Sequence, residues 1–290
     1  MTYLLLSILA STLIFVIFKL FERFQINILH AIVVNYVVAC ICGISFHSEP
    51  IEVAAISSYD WFYYTLGLGA LFIVVFNLMA HTTQRSGLSV VSVATKMSVV
   101  IPIVFGFVYY KEDLNLFKGL GIILALVAVY LTSVKSKDGI ALDRRTLIFP
   151  LLVFLGSGVI DVSIKFLEDS FVAKDDVSLF SAVIFGAAAS IGVVVLLIQA
   201  SLGKFRFHYK NILGGILLGV PNYFSIYFLV HALRSDLFDS SGIFTINNVA
   251  IVMLSTLVGI VLFKEKLLLK NWIGIFLAVL SIFLVALSIF

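Results

Sequence analysis

Ten apolar runs set the terms for this chain. They fall at 3–18, 28–46, 59–80, 88–110, 118–134, 147–167, 178–200, 211–231, 242–263 and 271–289, separated by short connections that hold most of the charge and turn residues. A helix crosses the bilayer's hydrocarbon core with about 20 mostly apolar residues, so each run is long enough, or nearly so, to span. The bulk composition agrees. Of 290 residues, 62% are hydrophobic and 12% charged, and the mean hydropathy is +1.17. A soluble domain is about half apolar and about 25% charged. The spacing leaves no room for an extramembrane domain. A transmembrane β-barrel is excluded because its short alternating segments are missing. The first run, Tyr3 to Phe18, starts without a basic leader or a small-x-small cleavage site, so it reads as the first span and not a removable signal.

Charge and cysteine content narrow the classes further. The net charge is +3, with the basic residues placed singly in short loops, which argues against nucleic acid as a partner. Cys40 and Cys42 lie inside an apolar run with no further ligand types nearby in sequence, so they read as small apolar filler. No metal and no cofactor is expected.

The chain also resembles itself. ASTLIFVIFKLFER (10–23) aligns with GSGVIDVSIKFLED (156–169), pairing Ser11 with Ser157, Lys19 with Lys165 and Glu22 with Glu168. LGALFIVVFNLMAH (68–81) aligns with LGVPNYFSIYFLVH (218–231), and YYKEDLNLFKGLGIILAL (109–126) with LFKEKLLLKNWIGIFLAV (262–279). Three weak matches in one order indicate a duplicated unit. The expected organisation is a first repeat over 1–135, a connecting loop over 136–146 (the longest polar stretch) and a second repeat over 147–290. Five spans per unit force the second copy to enter the membrane in the opposite sense. The expected fold is therefore all-α and integral to the membrane, with ten transmembrane helices as two inverted five-helix repeats. In such folds the substrate site lies near the midplane, between the repeats.

At these residues the chain resembles the drug/metabolite transporter superfamily, and within it the ten-span EamA-like family. The resemblance rests on Lys19 and Lys165 near the ends of spans one and six, and on a Glu-x8-Gly pattern, Glu112…Gly121 and Glu265…Gly274. It implies a helical bundle with a central cavity that moves amino acids, metabolites or toxic compounds, often outward. Members commonly carry an Arg in span two, where this chain has Asn35. The resemblance also implies cytoplasmic termini. The loop charges point the other way: Lys135, Lys137, Arg144, Arg145, Lys264, Lys266 and Lys270 all follow odd-numbered spans, and a positive-inside count puts both termini outside.

Polar residues inside spans mark the candidate site, because a charge at the bilayer centre costs several kcal/mol and so faces protein or a watery cavity. Lys96, well inside span four, is the first candidate: a cavity-lining cation for an anionic group, or else half of a structural ion pair. Thr95 and Ser92 flank it, and Pro102 is expected to kink the span near the midplane. Asn247 and Asn248 occupy the equivalent position of span nine and either bind substrate or hold a neighbouring helix. Asn35 in span two, Asn77 in span three and Asn222 in span eight complete the substrate-binding candidates. The sequence Gly219-Val220-Pro221 suggests a broken or kinked span eight. Asp161 and Lys165, four residues apart in span six, share a helix face and are candidates for proton coupling, or form an internal salt bridge. His81 and His231 read as interfacial. Glu112 and Glu265 are expected to sit at the N-terminus of the helix that follows each.

The functional expectation is a secondary carrier for a small metabolite, amino-acid-like or drug-like, working by alternating access and probed first as an exporter. It would sit in the plasma or inner membrane as a monomer or homodimer, driven by a proton or a counter-substrate, since no ATP-binding motif is present. The alternatives are a membrane-embedded enzyme and a channel. Neither H-E-x-x-H nor G-x-S-x-G occurs, and a channel would not require an internal inverted repeat.

Overall fold

The computed structural model describes residues 1–46, 53–109, 111, 115–133, 144–172, 176–204, 206, 208–233 and 240–287. Every expected span appears as helix: α1 (Thr2–Arg23), α2 (Ile28–Ser45), α3 (Phe62–Ser86), α4 (Leu88–Met97), α5 (Val100–Tyr109), α6 (Leu116–Ser133), α7 (Arg144–Phe171), α8 (Val177–Ser201), α9 (Tyr209–Leu233), α10 (Ser240–Phe263) and α11 (Leu269–Leu287). Span four is the pair α4 and α5. Among the described residues, nine helical segments are long and apolar enough to cross a membrane, with α4 and α5 counted together over Leu88–Tyr109; α6 supplies a shorter apolar helix. Among the described residues the chain is all-helical, and its apolar helices account for the ten expected spans of an integral membrane protein. The sixth span begins at Arg144, inside the stretch expected to be loop, because the arginines extend the helix past the apolar run.

Proline marks two spans, four as kinked and eight as broken or kinked, and of the two span four is interrupted. The interruption in span four falls at Ser98–Val99, four residues ahead of Pro102. A proline has no N–H for the carbonyl of residue i−4 and its ring crowds that carbonyl. The carbonyl in question is that of Ser98, and it accepts from Ile101 N at 2.9 Å instead. Span eight is not broken: α9 runs as one helix through Pro221.

The chain divides into two compact units, each drawing on both halves of the sequence. One comprises 1–19, 78–159 and 224–290; the other comprises 20–77 and 160–223. In the first unit the most extensive packing joins α6 to α11, which are the fifth and tenth spans, and α10 packs on α4, the ninth on the fourth. A Cβ added at Gly274 would lie 2.9 Å from Thr132 N and 3.0 Å from the Ala128 carbonyl; one added at Gly121 would lie 2.7 Å from Val285 Cγ2. Small residues let helix backbones approach this closely in lipid, where no hydrophobic drive exists between helices. Ser281 Oγ donates to the Gly121 carbonyl at 2.7 Å, and Asn271 Nδ2 donates to the carbonyls of Leu131 and Thr132 at 3.1 and 3.0 Å. The glycines of the Glu-x8-Gly pattern are thus the contact points of α6 and α11.

In the second unit α2 packs along α8, the second span on the seventh. Tyr36 is fully buried there, stacked on Phe185, and donates to the Phe72 carbonyl at 2.8 Å. Gly69 and Gly219, aligned in the two halves, do equivalent work. Gly69 seats α3 against the Ala187–Ala188 backbone of α8, and Gly219 seats α9 against the Asn35 carbonyl of α2. Large apolar side chains on the far faces, such as Ile123 and Phe276, are exposed and suit a lipid surface.

Candidate functional site

The candidate residues fall into two groups, one in each unit. In the first unit, α4 carries Thr95 and Lys96 on its last turn, immediately ahead of the break, and both are half-buried. The Thr95 hydroxyl donates to its own helix, at the Val91 carbonyl, 2.8 Å away. That leaves its lone pairs to accept. On α10, Asn247 is 1% exposed and its Oδ1 has no protein hydrogen-bond partner, while Asn248 is half-buried. A buried amide oxygen without a donor is uncommon, since native proteins satisfy more than about 90% of such groups. The packed pair α4 and α10 therefore brings together the helices bearing a cation, a hydroxyl and two amides.

In the second unit, Asn35 and Asn222 meet. Asn222 Nδ2 donates to Asn35 Oδ1 at 3.2 Å, across α2 and α9, and both side chains are buried. Asn35 Nδ2 has no protein partner. Gly219 makes the meeting feasible, because any side chain one turn before Asn222 would strike the α2 backbone. Asn77 is half-buried and donates to the Ile73 carbonyl on its own helix at 2.8 Å, leaving Oδ1 to accept. Asp161 and Lys165 are both exposed on α7, so the acid that looked deepest in the spans is open rather than enclosed. Its position in the apolar run does not determine burial, because the side chain leaves the packed face of the helix.

Two features escaped sequence reasoning. The first is a polar network around His30, 7% exposed at the start of α2. Asn211 Nδ2 lies 3.2 Å from His30 Nδ1, and Gln199 Oε1 lies 3.3 Å from His30 Nε2. An amide nitrogen only donates and an amide oxygen only accepts, so in this arrangement Nδ1 faces a donor and Nε2 an acceptor. Asn27 caps α2 by accepting from His30 N, and its own N donates to Asn211 Oδ1 at 2.9 Å. Asn27 just ahead of an apolar run was the available signal.

The second is Glu265, which does not serve the helix that follows it. α11 has its own cap, Asn271 Oδ1 accepting from Leu268 N at 2.8 Å. Glu265 instead reaches α4, where Oε1 accepts from Leu88 N at 2.7 Å and Oε2 accepts from Ser89 Oγ at 3.3 Å. Glu112, its counterpart, lies outside the described residues. Lys19, the other motif residue, donates from Nζ to the Gln84 carbonyl at 3.0 Å, near the end of α3. Of the two histidines, His231 donates from Nδ1 to the Tyr227 carbonyl at 2.9 Å, and the His81 ring lies 6.5 Å from Phe149. Among the described residues no cluster of three or more His, Cys, Asp or Glu could hold a metal, and Cys40 and Cys42 are free thiols.

Apolar helices of this length and number among the described residues, with polar side chains at the contacts of packed helices, define a polytopic membrane protein. Residues 1–134 match the model of the EamA-like transporter family. Proteins of this family are transporters rather than enzymes. An uncharacterized protein of Haemophilus influenzae is 28% identical over 287 residues, covering 97% of this chain and 96% of its own length. A protein of known crystal structure matches at a TM-score of 0.52 with 15% identity, over 97% of this chain and 98% of that one, and at that identity it bears on the fold alone.

Proposed function

We propose that this membrane transporter is a gradient-driven carrier for a small metabolite bearing an anionic group, amino-acid-like solutes first among them. It exports that solute by alternating access across the plasma or inner membrane, coupled to protons or a counter-substrate. Its two working halves are the five-span repeats 1–135 and 147–290, joined through 136–146. Support for the repeats comes from packing: α4 lies on α10, α6 on α11 and α2 on α8, which pairs spans four, five and two with their counterparts nine, ten and seven. The family match also covers one five-span unit.

The observation that carries the reading is Lys96 at the broken end of α4, on a helix packed against α10 with its buried, unsatisfied Asn247 Oδ1. In this reading Lys96 takes the anionic group. Thr95, Asn247 and Asn248 line the same site and sort solutes by hydrogen bonding. Asn35, Asn77 and Asn222, on spans two, three and eight, form a separate group of substrate-binding candidates in the second unit. Asp161 and Lys165, exposed together on α7, are assigned to coupling. The test is flux in proteoliposomes against a panel of radiolabelled amino acids and metabolites, with and without solute on the far side. Trans-stimulated flux in the wild type that disappears in Lys96→Ala is the expected result. Flux without trans-stimulation would make the protein a channel, and unchanged flux in the variant would remove Lys96 from the site.

A further inference from the structure

We propose that Glu265 is a positioning residue of the carrier: it fixes the N-terminal turn of α4 from outside that helix and so sets where Lys96 stands. This rests on the assignment of Lys96 to the substrate site.

The need for such a residue follows from α4 itself. The helix has ten residues, and the break at Ser98–Val99 detaches its far end from α5. Its first N–H groups have no partners within the helix. Its N-cap is Gly87, which has no side chain to offer and makes no capping hydrogen bond. The missing acceptor comes from a segment 177 residues away in sequence, as Glu265 Oε1 on Leu88 N, with Oε2 on Ser89 Oγ. A carboxylate at this end also opposes the positive pole of the helix dipole.

The surroundings are shaped for this carboxylate. A Cβ at Gly87 would lie 2.6 Å from Oε1, and a Cβ at Gly259 would lie 2.6 Å from Oε2. Gly87 also has φ +102°, which side chains rarely adopt. Two glycines, one at the N-cap of α4 and one on α10, thus form a slot that any side chain would close. The chain is aimed into the slot by Lys264, which has φ +53°, and Glu265 N donates to the Gly259 carbonyl at 3.0 Å. Lys264 and Lys266 on either side are exposed while Glu265 is half-buried, so one residue of the Lys-Glu-Lys run has been turned inward. Lys111, the aligned counterpart of Lys264, has φ +54°, so the same left-handed backbone conformation recurs at that position.

Lys96 lies eight residues past Leu88, about 12 Å along the helix at 1.5 Å per residue. With the far end of α4 unhinged, a shift at the capped turn is carried to Lys96. The cap also ties α4 to the connection leaving α10, the helix on which α4 packs.

The test replaces Cys40 and Cys42 with Ala and introduces one reporter, Lys96→Cys, with Thr95→Cys as a second reporter should the first fail to fold. Maleimide modification is timed in the parent, in Glu265→Ala, Glu265→Gln and Gly259→Ala, and in the Glu265→Ala/Gly259→Ala double variant. Leu202→Cys, exposed at the end of α8, serves as the control site. Loss of the cap is expected to raise the reporter's rate about fivefold, the scale of one lost capping interaction, with the control unmoved. Glu265→Gln, which keeps an acceptor oxygen, should give a smaller rise. Gly259→Ala should reproduce Glu265→Ala, and the double variant should match the single, because the added methyl acts only by expelling the carboxylate. An unchanged rate in Glu265→Ala, or effects that add in the double variant, overturns the proposal.

A second measurement uses protein that retains Lys96 and counterflow of a mixed radiolabelled L-amino-acid probe. Glu265→Ala is expected to raise KM more than it lowers Vmax, whereas a mere loss of folded protein lowers Vmax alone and would overturn the positioning role. Absence of counterflow in the wild type defeats the carrier reading, and the maleimide rates still decide the role of Glu265.

Discussion

Spans four and nine are aligned counterparts that pack against each other, yet they are built differently. Span nine, α10, is one uninterrupted helix from Ser240 to Phe263, with two adjacent amides and no proline. Span four is two ten-residue helices, with a break set by Pro102, a lysine at the break and a cap supplied from elsewhere. The contrast teaches that two aligned spans can pack on each other while only one of them is a continuous helix. Continuity costs nothing to keep in lipid, where each unsatisfied backbone group costs several kcal/mol, so a break persists where it lines something polar. In the carrier reading, span nine is the fixed wall and span four the element that presents charge.

The largest effect should come from removing that charge. Lys96→Ala is expected to lower flux by about two orders of magnitude, the worth of a hydrogen bond to a charged group at roughly 1.5–3 kcal/mol. Folding, read by size-exclusion profile and thermal midpoint, should be preserved. Asn247→Ala on the continuous partner should cost less, since it removes a neutral group; equal losses would break the division between the two spans. Next is Pro102→Ala. An N–H at 102 gives the Ser98 carbonyl its regular partner, so α4 and α5 should fuse into one helix like span nine. Thermal stability should rise, since proline inside a helix costs about 3 kcal/mol, while flux should fall by about tenfold. Flux that survives a fused span would show that the break is not used.

Much of this was legible in the sequence, and the limits have physical causes. Hydropathy located all ten spans because the bilayer imposes one length on every helix. The internal alignment paired spans five and ten, which pack together through the aligned Gly121 and Gly274, whereas the aligned Gly69 and Gly219 seat their helices on α8 and α2. Pro102 announced a break but not its place, because the proline acts on a carbonyl four residues earlier. Pro221 marks a broken or kinked span, and α9 continues through it as one helix. Glu265 was assigned to the wrong helix, because a carboxylate near a helix start in sequence says nothing about which helix start lies near it in space. His30 went unremarked because its partners, Asn211 and Gln199, are more than 160 residues away.

A smaller effect separates the two motif glycines of α6 and α11. At Gly274 the added carbon meets backbone, the nitrogen of Thr132 and the carbonyl of Ala128, and neither can move without shifting α6. At Gly121 the nearest atom is the Val285 side-chain methyl, which can rotate. Gly274→Ala should therefore lower stability by about 1–3 kcal/mol, and Gly121→Ala by less than half of that, in a denaturation series in detergent. Equal losses would mean that the α6 and α11 contact is adaptable along its whole length.

The smallest expected effect tests the quieter of the two polar groups. Asn222→Ala removes the donor to Asn35 Oδ1 and leaves a buried amide with neither of its groups met by protein. Interhelical hydrogen bonds in membranes contribute about 0.6 kcal/mol on average and seldom exceed about 1.7, because alternative partners are found when one is lost. A shift of that size in thermal stability, with KM unchanged, would make the pair a fastening between α2 and α9. A change in KM at unchanged stability would place Asn222 on the solute's path and give the second unit a share in recognition. That outcome would revise the comparison between spans four and nine, because selectivity would then not be confined to the helices that carry Lys96 and Asn247.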